Sequence, residues 1–165
     1  MYLLEVLKEF VKNEKIDSLA IFVDMDGVIA DYRFGEGENI KNNVQGTYLK
    51  KRPIYTTINN LKKISDEEGF DVYILSSCFF KEQADEKDEW LDKYADFIKK
   101  ENRIFTYNAN FESRKNAKIQ VIKKKLESKK YEYAVLIDDT HDILFKGIKE
   151  LGNKFLPFHV STLID

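Results

Sequence analysis

The sequence is poor in the residues that cross-link or interrupt a chain. Across 165 residues there are two prolines, seven glycines and a single cysteine, Cys78. One cysteine excludes an intramolecular disulfide framework and any multi-cysteine zinc site. So few prolines and glycines leave no linker or low-complexity tract, and the length suits one domain over 1–165 with a sizeable core. Excess positive charge is missing too. Against 27 Lys and Arg stand 29 Asp and Glu, for a formal net charge of −2, which argues against a dedicated duplex nucleic-acid surface. No apolar run approaches bilayer length, and Glu5, Lys8 and Glu9 break up the apolar residues of the N-terminus, so no signal peptide and no membrane partner are expected. A cytoplasmic location is the default expectation. What is present is globular in balance, 43% hydrophobic and 34% charged, with no internal repeat.

One stretch organises the rest. Ala20-Ile21-Phe22-Val23-Asp24-Met25-Asp26-Gly27-Val28 is an apolar, β-branched run ending in two carboxylates one residue apart, then glycine. It reads as a buried strand of a parallel sheet, and open α/β sheets bind ligands at the carboxyl ends of their strands. Asp-Gly between apolar runs is also a hairpin signal, and that alternative stands on this stretch alone. A second acidic strand end favours the sheet: Val135-Leu136-Ile137-Asp138-Asp139-Thr140 repeats the pattern, and two such ends side by side gather negative charge that a divalent cation would relieve.

The remaining chain alternates helices with strands. Leu3, Leu4, Leu7, Phe10 and Val11 predict an amphipathic helix over 2–14, whose polar face mixes Glu with Lys and so fits a sheet cover better than a membrane surface. A loop rich in glycine and Asn/Asp follows Gly27, placed for a lid, with Tyr32, Phe34, Tyr48 and Tyr55 within or bordering it as either packing or substrate-contact residues. Helices are predicted near 56–68, closed by Gly69, near 82–99 and over 114–127, with Ser113 a plausible N-cap. Strands are predicted at 71–77, ending in Ser76 and Ser77, at 103–107, and at 154–159, where Pro157 suggests a sheet edge. A helix carrying Ile143, Leu144, Ile148 and Leu151 precedes that last strand. Arg114, Lys115 and Lys118 sit early in the 114–127 helix, where cations oppose the dipole; either an anion lies nearby or they are solvated lysines of a Lys-rich chain. His141 and His159 read as ordinary surface or turn residues.

The carboxyl edge thus collects Asp24, Asp26, Asp138, Asp139, two serines and a lysine, the kinds of group phosphoryl transfer needs. Here the chain resembles the haloacid dehalogenase superfamily of aspartate-nucleophile phosphatases: Asp24-Met25-Asp26-Gly27-Val28 looks like its first motif, Ser76 its second, Lys115 its third and Asp138-Asp139 its fourth. Within that superfamily it is similar to the 5'(3')-deoxyribonucleotidases, through DMDGVIADY at 24–32, DEWLDKYA at 88–95 and LIDDTHDI at 136–143. The resemblance implies an α/β fold, a Rossmann-like parallel sheet of about five strands flanked by helices, with a small cap over about 32–55 inserted after the first strand. It implies Asp24 as nucleophile, Asp26 as acid and base, and Mg2+ held by Asp24, the Asp26 backbone carbonyl and Asp139. Asp138 would steady the ligands, and Ser76, Ser77 and Lys115 would hold the phosphoryl oxygens, with Lys118 one helical turn on as the rival lysine. The expected partner is a small phosphorylated substrate, a nucleotide first. The cap segment is shorter than that of the deoxyribonucleotidases, which leaves other phosphorylated metabolites and polynucleotide ends as alternatives. A receiver-like phospho-acceptor is a further rival, but receivers place their acidic pair on the first strand, whereas here the Asp pair comes last.

Overall fold

The computed structural model describes residues 1–34, 44–107 and 110–164, with Arg33 and Phe34 described by backbone only. Helix α1 (Tyr2–Glu14) leads into strand β1 (Leu19–Val23). Two short strands follow, β2 (Ala30–Phe34) and β3 (Lys51–Pro53). Then come α2 (Tyr55–Ser65), β4 (Phe70–Cys78), α3 (Lys81–Tyr94) and β5 (Arg103–Tyr107). The chain closes with α4 (Phe111–Glu127), β6 (Ala134–Asp138), α5 (His141–Leu151) and β7 (Phe155–His159).

Five of the strands form one parallel sheet in the order β5-β4-β1-β6-β7, the expected α/β core. β1 is central because it is apolar on both faces, and alternation divides it. Leu19, Ile21 and Val23 join Leu3, Leu7, Leu61, Trp90 and Leu91 in one core, which puts α1, α2 and α3 on that side. Ala20 and Phe22 join Ile119, Ile122, Ile143 and Leu144 in the other, which puts α4 and α5 opposite. β7 lies at the sheet edge, as Pro157 implied.

Four element boundaries differ from the sequence reading. The segment after Gly27 is not all loop: β2 and β3 pair antiparallel, Ala30 opposite Pro53 and Phe34 opposite Lys51. The rest of the expected lid, 35–43, lies outside the described residues. The helix expected to reach 99 ends at Tyr94, where Ala95 leaves helical geometry; Ile98 keeps the helical spacing but is buried in the following turn. α4 starts earlier than expected, capped by Asn110, whose side chain accepts from the Ser113 N–H; Ser113 closes the capping box instead of opening the helix. α2 stops at Ser65, and Gly69 serves the turn into β4, where a Cβ would lie 2.6 Å from the Asp17 carbonyl oxygen. No helix among the described residues is long and apolar enough to cross a membrane.

Candidate active site

At the carboxyl end of β1 the chain keeps one more sheet contact and then curls. The Asp24 N–H donates to the Ile137 carbonyl at 3.0 Å, holding Asp24 against β6. The Met25 carbonyl then accepts from the N–H groups of Val28, Ile29 and Ala30. Gly27 sits at φ +77°, and a Cβ there would lie 2.2 Å from Asp139 Oδ2 and 2.6 Å from the Tyr32 ring. Only glycine lets this turn close on the β6 end. The Asp-Gly pair is therefore a site-forming turn, since β1 pairs with β4 and β6 and not with β2.

Strand alternation explains the lysine. Ala20, Phe22 and then Asp24 face α4, as do Ala134, Leu136 and Asp138. Lys118 precedes Ile119 on the packed face of α4 and is buried; its Nζ lies 3.0 Å from Asp24 Oδ1 and 2.7 Å from Asp138 Oδ2. Asp138 is further fixed by the Thr140 N–H on Oδ1. Asp139 accepts from the Tyr32 hydroxyl at 2.7 Å and from the Thr140 hydroxyl at 3.1 Å. Asp24, Asp138 and Asp139 each offer an oxygen within 4.8 Å of the others. Burial is the main influence on Asp24, and with the added repulsion of Asp138 and Asp26 it lifts the carboxyl from 3.8 to about 6 against the pull of Lys118.

The two candidate lysines are placed differently. Lys115 points away, its Nζ 2.7 Å from Glu112 and 5.0 Å from the centroid of the Phe111 ring. It lies one turn nearer the start of α4, above the strand ends, whereas Lys118 is level with them.

Asp26 has a separate setting. Lys51 donates to its Oδ1 at 2.6 Å and Lys87 to its Oδ2 at 2.8 Å, and both lysines are buried. Burial alone would raise this carboxyl, but the two ammonium groups overcome it and bring it down to about 2. Lys87 also donates to the Ser76 hydroxyl and the Ser77 carbonyl, each at 2.8 Å. Neither lysine was singled out in the sequence. Lys87 had a usable signal: it sits three residues before Trp90, on the buried face of α3. Lys51 had none, in a stretch without periodicity. α3 also carries the cap segment, because Glu86 accepts from the N–H groups of Gly46 and Tyr48, and the Trp90 indole donates to the Lys51 carbonyl.

Asp24, Asp26 and Lys118 open on a cavity of about 250 Å³, whose wall includes Tyr32, Tyr48, Lys51 and Ser77 on one side and Phe79, Phe111 and Arg114 on another. The two serines separate. Ser77 lines the cavity and shares a hydrogen bond with Thr106, while Ser76 is fully buried with its hydroxyl accepting from Lys87. Of the aromatic residues noted in the lid, Tyr32 and Tyr48 reach the cavity wall; Tyr55 is exposed at the start of α2, and the Phe34 side chain lies outside the described residues. The Tyr48 hydroxyl is buried beside Asp26. Burial and the nearby Asp26 and Asp24 carboxylates hold that phenol well above its ordinary pKa.

Comparison with known proteins extends the fold and not the sequence. No family model matches the chain, and no curated protein matches it. Among solved structures it is similar to one from Burkholderia xenovorans LB400, described as a haloacid dehalogenase-like hydrolase, with a TM-score of 0.53 and 12% identity over 86% of this chain and 81% of that one. The fold is that of a haloacid dehalogenase-like core.

Proposed function

We propose that the chain is a magnesium-dependent phosphomonoesterase of the haloacid dehalogenase superfamily, with Asp24 as its nucleophile. One observation carries the reading. The first and last acidic strand ends converge, with oxygens of Asp24, Asp138 and Asp139 within 4.8 Å and Lys118 between two of them, at the base of a cavity. Three carboxylates against one lysine leave negative charge that a hard dication fits, and the missing Cβ of Gly27 keeps Asp139 close. Asp24, Asp139 and the Asp26 backbone carbonyl would hold Mg2+, with Asp138 kept in place by Lys118 and Thr140. Bound there, the ion would supply charge neutralisation between nucleophile and phosphate.

The protein groups divide the remaining work. The Asp24 carboxylate attacks phosphorus; an oxygen–phosphorus bond forms to Asp24 and the bond to the leaving alcohol breaks, giving an aspartyl phosphate. Asp26, from its minority protonated form, gives a proton to the leaving oxygen, and the carboxylate left behind then takes a proton from the water whose oxygen displaces phosphate from Asp24. Lys51 and Lys87, one on each of its oxygens, fix its orientation and favour its ionised form. Lys118 and Ser77, on the cavity wall, would hold the transferred phosphoryl oxygens. A nucleoside monophosphate, as a 5'(3')-deoxyribonucleotidase would use, is the first substrate to test, supported by the motif likeness at 24–32 and 136–143.

Asp24→Asn is nearly isosteric and tests the reading. With a panel of phosphomonoesters and Mg2+, wild type turns over at least one and loses that activity in EDTA, while the variant keeps its melting temperature and loses turnover by at least about 1,000-fold. Substantial residual activity in Asp24→Asn would sink the nucleophile assignment.

A further inference from the structure

The three cations that open α4 have separate fates. Lys115 pairs with Glu112, and Lys118 pairs with Asp24 and Asp138. Arg114 does neither. Its guanidinium lies 4.4 Å from the centroid of the Phe79 ring, half-buried on the wall of the cavity that also holds Asp24, Ser77 and Lys118. Among the described residues no carboxylate or carbonyl takes its guanidinium N–H groups; the nearby acid Glu112 is engaged with Lys115 and Lys146.

This placement is costly for a residue with nothing to bind. Stacking on Phe79 satisfies the face of the guanidinium and fixes its plane, but its donors lie at the edge, in a fork that matches a carboxylate or phosphate. Its position in the first turn of α4 adds the positive end of the helix dipole. The other two cations of the cavity wall, Lys51 and Lys118, are held by Asp26 and by Asp24 with Asp138. Phe79 and Phe111 expose nearly half of their surface and share the cavity wall with it, an apolar lining beside the arginine.

We propose that Arg114 determines specificity by receiving a second oxyanion, a carboxylate or a phosphate, carried by the substrate away from the phosphoryl group that is transferred. The inference rests on the phosphomonoesterase reading and narrows it: within nucleotides it favours nucleoside bisphosphates over monophosphates, and within small metabolites it favours phosphorylated acids over phosphorylated alcohols.

Two matched pairs test it on the full chain with Mg2+: glycerol phosphate against phosphoglycerate, and a nucleoside monophosphate against the corresponding nucleoside bisphosphate. The first pair reads a carboxylate and the second a phosphate. Wild type is expected to prefer the doubly anionic member of at least one pair by kcat/KM. Arg114→Gln should lose roughly 10- to 150-fold on that member, mainly through KM, with a smaller loss on its partner, so that the preference falls toward one. Arg114→Lys, which keeps the charge without the fork, should fall between. An equal loss on both members of each pair, or a wild type with no preference in either, overturns the inference. A wild type that turns over none of the four and no other member of the phosphomonoester panel overturns the phosphatase reading instead; calorimetric binding of the four compounds to wild type and Arg114→Gln then decides on Arg114 without turnover.

Discussion

The edge strand β5 and the carboxyl ends of the central strands β1 and β6 use the same ions to opposite effect. At the start of the edge strand β5, Arg103 donates to the Ile98 and Asp88 carbonyls and to the carboxylates of Asp88 and Asp92, while Lys100 joins both acids. Those acids are partly exposed, and the hydrogen bonds from Arg103 and Lys100 hold the Asp92 carboxyl below its ordinary pKa. At the carboxyl ends, Asp24 and Asp138 are buried with Asp139 beside them, and Asp24 is displaced upward to about 6. The first cluster ties α3 to β5 and favours the ionised form of Asp92, whereas in the second burial and the neighbouring carboxylates push Asp24 the other way. A carboxyl displaced upward beside a cavity is the setting the proposed nucleophile calls for.

Removing the buried lysine of the strand-end cluster, set against its neighbour one turn away on α4, gives the largest contrast. Lys118→Met leaves two buried carboxylates without their partner, which is expected to cost about 3–5 kcal/mol of stability and most of the turnover. Lys115→Met removes only an ion pair with an exposed acid and should cost under about 1 kcal/mol. Urea unfolding of both variants in EDTA, with activity measured in Mg2+, checks the pair. Equal losses for the two lysines would contradict the placement of Lys118.

Arg103→Met sharpens the contrast from the other cluster. Its partners are hydrated once the guanidinium is gone, so the expected cost is about 2 kcal/mol, with kcat and KM retained within about twofold. A fall in kcat beyond that would mean that the β5 edge positions the site, and the division between the two clusters would fail.

How far each region was legible follows from the same physics. β1, β4 and β6 announce themselves because a strand buried on both faces must be apolar throughout, and their terminal carboxylates stand out against that background. The register of a helix relative to those strand ends is not local information. Lys115 and Lys118 differ by one turn, and only the packing of Ile119 and Ile122 against the sheet decides which reaches Asp24. Lys51 and Lys87 were missed for a related reason: a buried lysine is informative only when its acid is known to be near, and Asp26 lies 61 positions from Lys87 in sequence. The ribbon of β2 and β3 was missed because its strands are short and the glycines around it dominate the local signal. Phe97 and Ile98 extended the α3 pattern past its end because turn packing on a core satisfies the same spacing as a helix face.

Asp71, at the amino end of β4, offers the finest test. Burial would raise its carboxyl, but the Tyr131 hydroxyl and Lys130 bind Oδ2 and hold it below the ordinary value of 3.8. A group whose pKa is lower folded than unfolded adds stability above the unfolded value and loses it as pH falls through the folded one. Asp71→Asn should therefore be less stable than wild type at neutral pH by under about 1 kcal/mol, since the group is largely exposed. That difference should shrink as the pH drops below 3.8. Thermal melts of both proteins across the acid range measure it. A difference that stays constant with pH would place the effect in amide packing and remove Asp71 from the charges that favour folding at this end.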